Sequence, residues 1–189
     1  MGLEIERRFL VAGSHWRTQV SWSRLLQQGY LARQPDGLTL RVRISRPLEG
    51  QEAPSDQIPS AWLTLKAPSP REQGVPDGLV RQEFEYPIPL EDAEALLALT
   101  PLQLHKCRHG LDLPGGDWVV DEFAGANAPL VVAEVEIPSA VQHLDPPSWC
   151  SEELTGRHEF SNAALAGCPF STWAPELRGP LLQLLQAEP

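Results

Sequence analysis

Cysteine is scarce in this chain, and so is any long apolar run. The three cysteines among 189 residues, Cys107, Cys150 and Cys168, stand at unrelated spacings. They form neither a disulfide framework nor the paired spacing of a metal knuckle, so reduced thiols and a cytoplasmic location are expected. No apolar run approaches the length that spans a bilayer, and the N-terminus lacks the apolar stretch of a signal peptide, so no membrane partner is expected. Positive charge is also short. Fifteen Lys and Arg against 25 Asp and Glu leave a formal charge of −10. That balance argues against a surface that coats nucleic acid, though it leaves room for a local basic pocket. No solenoid or propeller period is present. Apolar content of 42% and charged content of 21% are ordinary for a globular chain, and the length suits one domain, residues 1–189, with a substantial core.

What the chain does have is alternation. In the opening stretch, Leu3, Ile5, Phe9 and Val11 alternate with Glu4, Glu6 and Arg8. A strand would send those three charges to one side. They fit either an exposed amphipathic edge strand or a site where a divalent cation compensates the paired carboxylates. A loop with a short helix is expected over Ala12–Arg24, then a hairpin of Gln27–Arg33 and Leu38–Arg46 around the turn Gln34-Pro35-Asp36-Gly37. Strands follow at Ala61–Lys66 and Leu79–Ile88, separated by loops over Pro47–Ser60 and Pro68–Gly78. Leu90–Leu99 reads as a helix with acids in its first turn. Leu104–Leu111, Trp118–Phe123 and Leu130–Ile137 read as further strands. Ser139–His143 and Ser161–Ala166 look helical, and Glu176–Gln186 is an amphipathic helix interrupted near Gly179-Pro180.

About eight strands, mostly antiparallel to a sequence neighbour, can close into a barrel and remove their edges. The same alternating face carries Glu4, Glu6, Arg8, Arg41, Arg43, Lys66, Arg81, Glu83, Glu85, Lys106, Arg108, Asp121, Glu134 and Glu136. The opposite faces are mostly Leu, Val, Ile and Phe. Either the charges lie outside around an apolar core, or they line a lumen whose apolar exterior is covered by helices. Pairing at i, i+2 is like with like, Glu/Glu or Arg/Arg, which is unfavourable unless each meets an opposite charge or a ligand. That segregation favours the lumen, with an acidic wall for metal and a basic wall for a polyanion.

These residues carry a resemblance. Glu4-Ile5-Glu6-Arg7-Arg8-Phe9-Leu10-Val11 resembles the E-x-E-x-K signature of the CYTH domain, the triphosphate tunnel metalloenzyme superfamily. The likeness continues through Gln28-Gly29-Tyr30-Leu31, Leu40-Arg41-Val42-Arg43, Leu63-Thr64-Leu65-Lys66, Arg81-Gln82-Glu83-Phe84-Glu85, Asp121-Glu122-Phe123-Ala124-Gly125 and Ala133-Glu134-Val135-Glu136. It is strongest toward the small bacterial members that resemble inorganic triphosphatases. The resemblance implies a mainly β (α+β) fold: an eight-stranded antiparallel closed β-barrel with a charged lumen, flanked by a few helices, with C-terminal helices near 161–187 packed on it. It implies a hydrolase that uses Mg²⁺ or Mn²⁺ to cleave the terminal phosphoanhydride of tripolyphosphate or a related triphosphate. Glu4, Glu6, Glu134 and Glu136 match metal-binding carboxylates, with Asp121 beside them. Glu83 and Glu85 match a further acidic pair that helps a second metal or orients water. Arg41, Arg43, Lys66, Lys106 and Arg108 match phosphate-gripping cations, with Arg81 a further candidate and Arg8 assigned to the same phosphate-binding wall. Glu4, Glu6, Glu83, Glu85 and Lys106 are the expected catalytic groups.

Two departures stand out. Arg8 occupies the position of the signature lysine, and arginine keeps the charge but cannot give up its proton near neutral pH. Gly156–Asn162 is less basic than its counterpart in relatives, with Phe160 in place of Tyr, leaving Arg157 and His158 either at the tunnel mouth or on the surface. The five histidines are read as incidental, the tryptophans as packing on the barrel exterior and Cys107 as a buried structural thiol. Tyr30 is read as either core or site. Other readings are a thiamine or nucleoside triphosphatase, a class IV-type adenylate cyclase, or a polyphosphate-binding module without catalysis. The oligomeric state stays open, with a homodimer as one alternative.

Overall fold

Among the described residues, eight of the nine strands close on themselves. The computed structural model describes residues 2–48, 58–69 and 79–187. Its strands are β1 (Gly2–Val11), β2 (Val20–Arg33), β3 (Thr39–Pro47), β4 (Ser60–Pro68), β5 (Val80–Pro87), β6 (Gln103–Leu111), β7 (Asp117–Phe123), β8 (Val131–Glu136) and β9 (Cys150–Glu153). They pair in the order β5-β4-β3-β2-β6-β7-β8-β1, and β1 returns to β5 with Glu4 opposite Arg81. All these pairings are antiparallel. The result is the closed eight-stranded barrel that the alternation implied. The short β9 is a ninth strand, laid along the end of β1, which the sequence pattern missed.

The alternating pattern settles which face is inside. Phe9, Val11, Trp118, Val120, Ala133 and Val135 point outward and are buried under Trp16, Leu144 and Trp149. Val42, Ile44 and Ala61 are covered by Ala93 and Leu97 of α1 (Leu90–Ala98). Burying each such side chain contributes about 1.5–3 kcal/mol, so the exterior apolar layers supply much of the driving force. The charged residues face the lumen. At one end that lumen face continues as Leu10, Leu104, Phe123 and Val132. These pack with Leu165 and Ala166 of α2 (Asn162–Gly167), with Phe160 and Phe170, and with Leu181 of α3 (Pro175–Gln186). The C-terminal segment therefore stops part of this end of the barrel.

Several local expectations change, among them the break expected near Gly179-Pro180: α3 runs unbroken through Pro180. The helical part of 12–24 shrinks to a 3₁₀ turn at His15–Gln19, and β2 begins at Val20 because β6 pairs with it from Val20↔Leu111 onward. Tertiary pairing, not local pattern, makes those residues a strand. Residues 139–143 form a turn in which the Gln142 amide donates to the Ser139 carbonyl. Pro138 before it and Pro146-Pro147 after it leave no room for a helix. The central parts of the two expected loops, residues 49–57 and 70–78, lie outside the described residues.

Candidate active site

Strand register brings the segregated charges to one place. Twelve of the fourteen charged side chains singled out above line a cavity of about 230 Å³ inside the barrel. On one side, β1 and β8 set Glu6 opposite Glu136 and Arg8 opposite Glu134, with Glu4 next along β1. Around the rest of the lumen, Arg81, Glu83 and Glu85 project from β5 beside β1, Lys66 from β4, Arg41 and Arg43 from β3, and Arg108 from β6. Tyr30 also lines the cavity and is buried, so it belongs to the site wall.

The walls pair with each other. Lys66 Nζ donates to both Glu4 carboxylate oxygens at 2.7 Å and lies 3.4 Å from Glu83. Arg8 Nε donates to Glu6 Oε1 at 2.6 Å and stands 3.4 Å from Glu134 Oε1. Arg108 Nη2 donates to Glu134 Oε2 at 2.5 Å and to Asp121 Oδ2 at 2.7 Å, while its Nε reaches Asp121 Oδ1 at 2.8 Å. Arg41 Nη2 donates to Thr64 Oγ1 at 3.0 Å, and Arg43 Nη2 to Glu85 Oε1 at 2.9 Å. Two donors remain over. Among the described residues, Nε of Arg41 and Nε of Arg43 are buried with no partner. A buried donor without an acceptor costs about 1–3 kcal/mol, so these guanidiniums fall short of satisfaction without an anion.

Burial and neighbouring charge set the protonation. Burial pushes Glu4 up, but Lys66 outweighs it and holds the carboxyl down at about 2. Burial dominates at Glu6 and keeps it above the usual carboxylate range despite Arg8, with Glu134 and Glu4 adding to the rise. Glu134 is likewise buried, yet Arg108, Lys106 and Arg8 hold it well below that range. Burial raises Glu83 against the pull of Lys66. It raises Glu136 as well, helped by Glu4 and Asp117. Burial and the adjacent Arg41 lower Arg43 to about 10. The lumen thus holds carboxylates of unequal basicity within one cavity.

Asp121 and Lys106 do not line that cavity. Asp121 is fully buried behind Arg108, and Lys106 Nζ donates to Asp121 Oδ2 at 2.5 Å and to Asn162 Oδ1 at 3.0 Å. Burial lowers Lys106 to about 8, with Asp121 pulling the other way. Both sit where they can hold Arg108 and the C-terminal segment in place. The sequence reading missed Thr39, Ser161 and Asn162, which line the lumen, and Thr64, which donates to Glu85 Oε1 at 2.8 Å. Thr39 and Thr64 share the alternation parity of the charged residues, and that was the available signal. Ser161 and Asn162 come from a turn and a helix start, where no parity exists.

His109 belongs to a different cluster, on the barrel exterior. Its Nδ1 lies 2.7 Å from Ser23 Oγ and its Nε2 2.9 Å from Glu122 Oε2; Arg17 clasps Glu122 with both terminal nitrogens, and Trp16 lies 5.1 Å from the imidazole. His105 is four residues away, but on strand β6 that spacing separates them by about 13 Å. Cys107, between Lys106 and Arg108, faces outward and is half-buried rather than buried. Trp16, Trp118 and Trp149 pack on the barrel exterior as expected.

The donor set suits a hard divalent cation. Glu4, Glu6, Glu134 and Glu136 offer carboxylate oxygens to a single cavity, and the first three perturb one another electrostatically. Yet among the described residues no three His, Cys, Asp or Glu side chains converge closely enough to hold a metal as they stand. Glu4, Glu6 and Glu134 are each turned onto a lysine or arginine. The chemistry fits a metal once those cations move aside.

The cavity opens into a vestibule of about 730 Å³ that shares Arg8, Thr39, Arg81, Ser161 and Ala163 with it. Arg33, Arg157 and His158 stand around this vestibule, which places the last two at the mouth. Arg157 pairs there with Glu152 and Glu159 and lies over the Phe160 ring.

No protein-family model matches the chain. Individual proteins do. The chain is 31% identical over 176 residues to an inorganic triphosphatase of Acetivibrio thermocellus, covering 92% of this chain and 99% of that protein. It is 35% identical over 167 residues to an inorganic triphosphatase of Nitrosomonas europaea, covering 86% and 96%. A solved structure of the inorganic triphosphatase NE1496 superposes with a TM-score of 0.53 at 33% identity, over 88% of this chain and 95% of that one. Closed barrel, segregated lumen charges and near full-length identity agree: the chain belongs to the CYTH, or triphosphate tunnel metalloenzyme, superfamily, among the relatives of its inorganic triphosphatases.

Proposed function

We propose that this chain is a divalent-metal-dependent inorganic triphosphatase, using Mg²⁺ or Mn²⁺ to cleave the terminal phosphoanhydride of tripolyphosphate. The observation that carries the reading is the lumen itself, a cavity within the closed barrel in which, among the described residues, arginines with unused buried donors face a wall of carboxylates. A linear triphosphate offers many anionic oxygens within the reach of Arg41, Arg43, Lys66, Arg81 and Arg108. Arg41 and Arg43 would complete their hydrogen bonding on it. Glu4, Glu6, Glu134 and Glu136 would hold the cation, which when bound neutralises phosphate charge and acidifies a water molecule. Asp121 and Lys106 support Arg108 from behind rather than touching metal or phosphate.

The two acids of β5 divide the remaining work. Glu85 accepts from Thr64, Arg41 and Arg43, so it orients the phosphate-gripping guanidiniums. Glu83 is raised by burial and less fully engaged, which suits it to take a proton from water attacking the terminal phosphorus in line. Fixed charges lining the lumen stabilise the charge that develops in the transition state with little reorganisation. Among the described residues the vestibule contains no Phe, Tyr or Trp to stack a base. The bare polyphosphate is therefore favoured over thiamine or nucleoside triphosphates.

The deciding experiment incubates the purified protein with Mg²⁺ or Mn²⁺ and tripolyphosphate, thiamine triphosphate or ATP, and measures phosphate, pyrophosphate and cyclic AMP. Tripolyphosphate should give equal phosphate and pyrophosphate, with much slower release from the organic triphosphates and no cyclic nucleotide. Tight tripolyphosphate binding without turnover of any substrate would replace the enzyme reading with a binding module.

A further inference from the structure

Arg8 is where this chain departs from the signature of its superfamily, and its position in the lumen gives the departure a consequence. Its guanidinium lies between two carboxylates of the proposed metal wall, 2.6 Å from Glu6 Oε1 and 3.4 Å from Glu134 Oε1. Glu134 is buried, and the side chains of Glu6 and Arg8 are only 14% and 12% exposed. Nε makes both contacts, so the rigid, delocalised charge of the guanidinium is held between the two acids, whereas an ammonium is a point charge on a flexible stem. Arg8 thus occupies, as a fixed cation, the space between two of the oxygens that a divalent cation would need.

We propose that Arg8 couples metal binding to triphosphate binding. It closes the Glu6–Glu134 pair against metal alone, and it releases that pair when a triphosphate supplies anionic oxygens for its fork. The inference rests on the reading of the lumen as a triphosphate site.

Charge balance supports the coupling. The lumen and its backing hold seven acidic and seven basic side chains, Glu4, Glu6, Glu83, Glu85, Asp121, Glu134 and Glu136 against Arg8, Arg41, Arg43, Lys66, Arg81, Lys106 and Arg108. A metal entering alone must displace Arg8 into a cavity already filled with guanidiniums, leaving an uncompensated buried cation. A triphosphate entering alone brings several negative charges to a balanced site. Together, the divalent cation offsets part of the triphosphate charge, and Arg8 exchanges one anionic partner for another. Each ligand therefore strengthens the binding of the other by the same factor, since coupling free energy is reciprocal.

The test is equilibrium dialysis of the full chain against Mn²⁺ at fixed free Mn²⁺, with and without the non-hydrolysable imido analogue of tripolyphosphate. The proteins compared are the wild type, Arg8→Gln and Arg8→Lys. Wild-type protein should bind Mn²⁺ weakly alone and about ten-fold more tightly with the analogue. Arg8→Gln, which frees Glu6 and leaves Glu134 held by Arg108, should bind Mn²⁺ alone about ten-fold more tightly than wild type and lose most of the coupling. Arg8→Lys, which keeps the charge on a flexible stem, should fall between them and keeps the test open should Arg8→Gln misfold by near-ultraviolet circular dichroism. Folded variants that bind Mn²⁺ alone no more tightly than wild type would overturn the inference while leaving the triphosphatase reading intact. Failure of the wild type to bind the analogue at all would overturn both.

Discussion

Two charged clusters lie on opposite faces of the same strand, β6, and they are built to different standards. Outside, His109, Glu122, Arg17 and Ser23 form a closed set in which each acceptor faces a donor. Burial there opposes the charge on His109, yet the Cys107 and Glu122 contacts raise the imidazole to about 9. His109 and Arg17 bring Glu122 down to about 2. Every shift favours the charged, folded pair. Inside, Lys106 and Arg108 belong to a network in which acids crowd acids, Glu6 is pushed up, and Nε of Arg41 and of Arg43 has no acceptor. The outer cluster is complete as it stands, while the inner one, among the described residues, keeps buried donors that its own acceptors leave unused. Unbalanced electrostatics of this kind mark the functional face.

The comparison breaks first at the lumen if it is wrong. Glu6→Gln should lower metal-dependent tripolyphosphate turnover by about 10³-fold, because it removes one carboxylate of the cation wall. Its melting temperature should move by only a few degrees, since Arg8 retains Glu134. Arg41→Ala should cost about 10²-fold by the loss of a preorganised phosphate donor. Phosphate release measured at saturating Mg²⁺ or Mn²⁺ checks both. A Glu6→Gln protein as fast as wild type would mean that the acidic wall holds no catalytic cation. Lys106→Met should sit below these, at about ten-fold, because Lys106 reaches the lumen only through Asp121 and Asn162. A loss as large as that of Arg41→Ala would return Lys106 to direct contact with phosphate.

Most of the barrel and most of the lumen were legible because a strand has a period of two. Once Glu4, Glu6 and Arg8 share a face, their register partners Glu134 and Glu136 must share it too. The same rule placed Asp121 inward, correctly, but parity says nothing about depth. Only the packing shows that Arg108 stands between Asp121 and the cavity. Parity also fails where strands end, so Ser161 and Asn162 were invisible. β9, with the sequence Cys-Ser-Glu-Glu, carries no β-branched or alternating signal and exists because β1 offers it an edge. The first turns of β2 were hidden for a related reason: Ser21-Trp22-Ser23-Arg24 becomes a strand through pairing with β6.

The outer cluster predicts stability rather than rate. His109→Gln should leave turnover unchanged and destabilise the fold by about 1–2 kcal/mol near pH 6, a discounted figure for a partly screened pair. That corresponds to a drop of about 2–4 °C per kcal/mol in a chain of this size. The pH dependence has a defined sign. His109 is raised from 6.5 to about 9, so its contribution is full below about 6.5 and is lost as the pH climbs through 9. Glu122 is lowered from 4.5 to about 2, so its contribution is full above about 4.5 and is lost as the pH falls toward 2. Melting temperatures of wild type and His109→Gln should therefore differ most between about pH 4.5 and 6.5 and converge by pH 9.5. A difference that stays constant across that range would show that the imidazole carries no charge in the folded protein.

The smallest effect belongs to a pair that resembles the outer cluster in chemistry but not in setting. Arg46 donates to Glu94 of α1 at 2.9 Å, with side chains 38% and 55% exposed. Water screens both charges, and two long side chains lose rotamer freedom to meet, so the net gain is about 0.5 kcal/mol or less. Arg46→Ala should leave both turnover and melting temperature nearly unchanged, and added salt should erase what difference there is. In thermal melts at low and high salt, a cost for Arg46→Ala equal to that of His109→Gln would mean that burial and closed partnering are not what separate the two pairs. The contrast between a completed cluster and an unbalanced one would then rest on geometry alone.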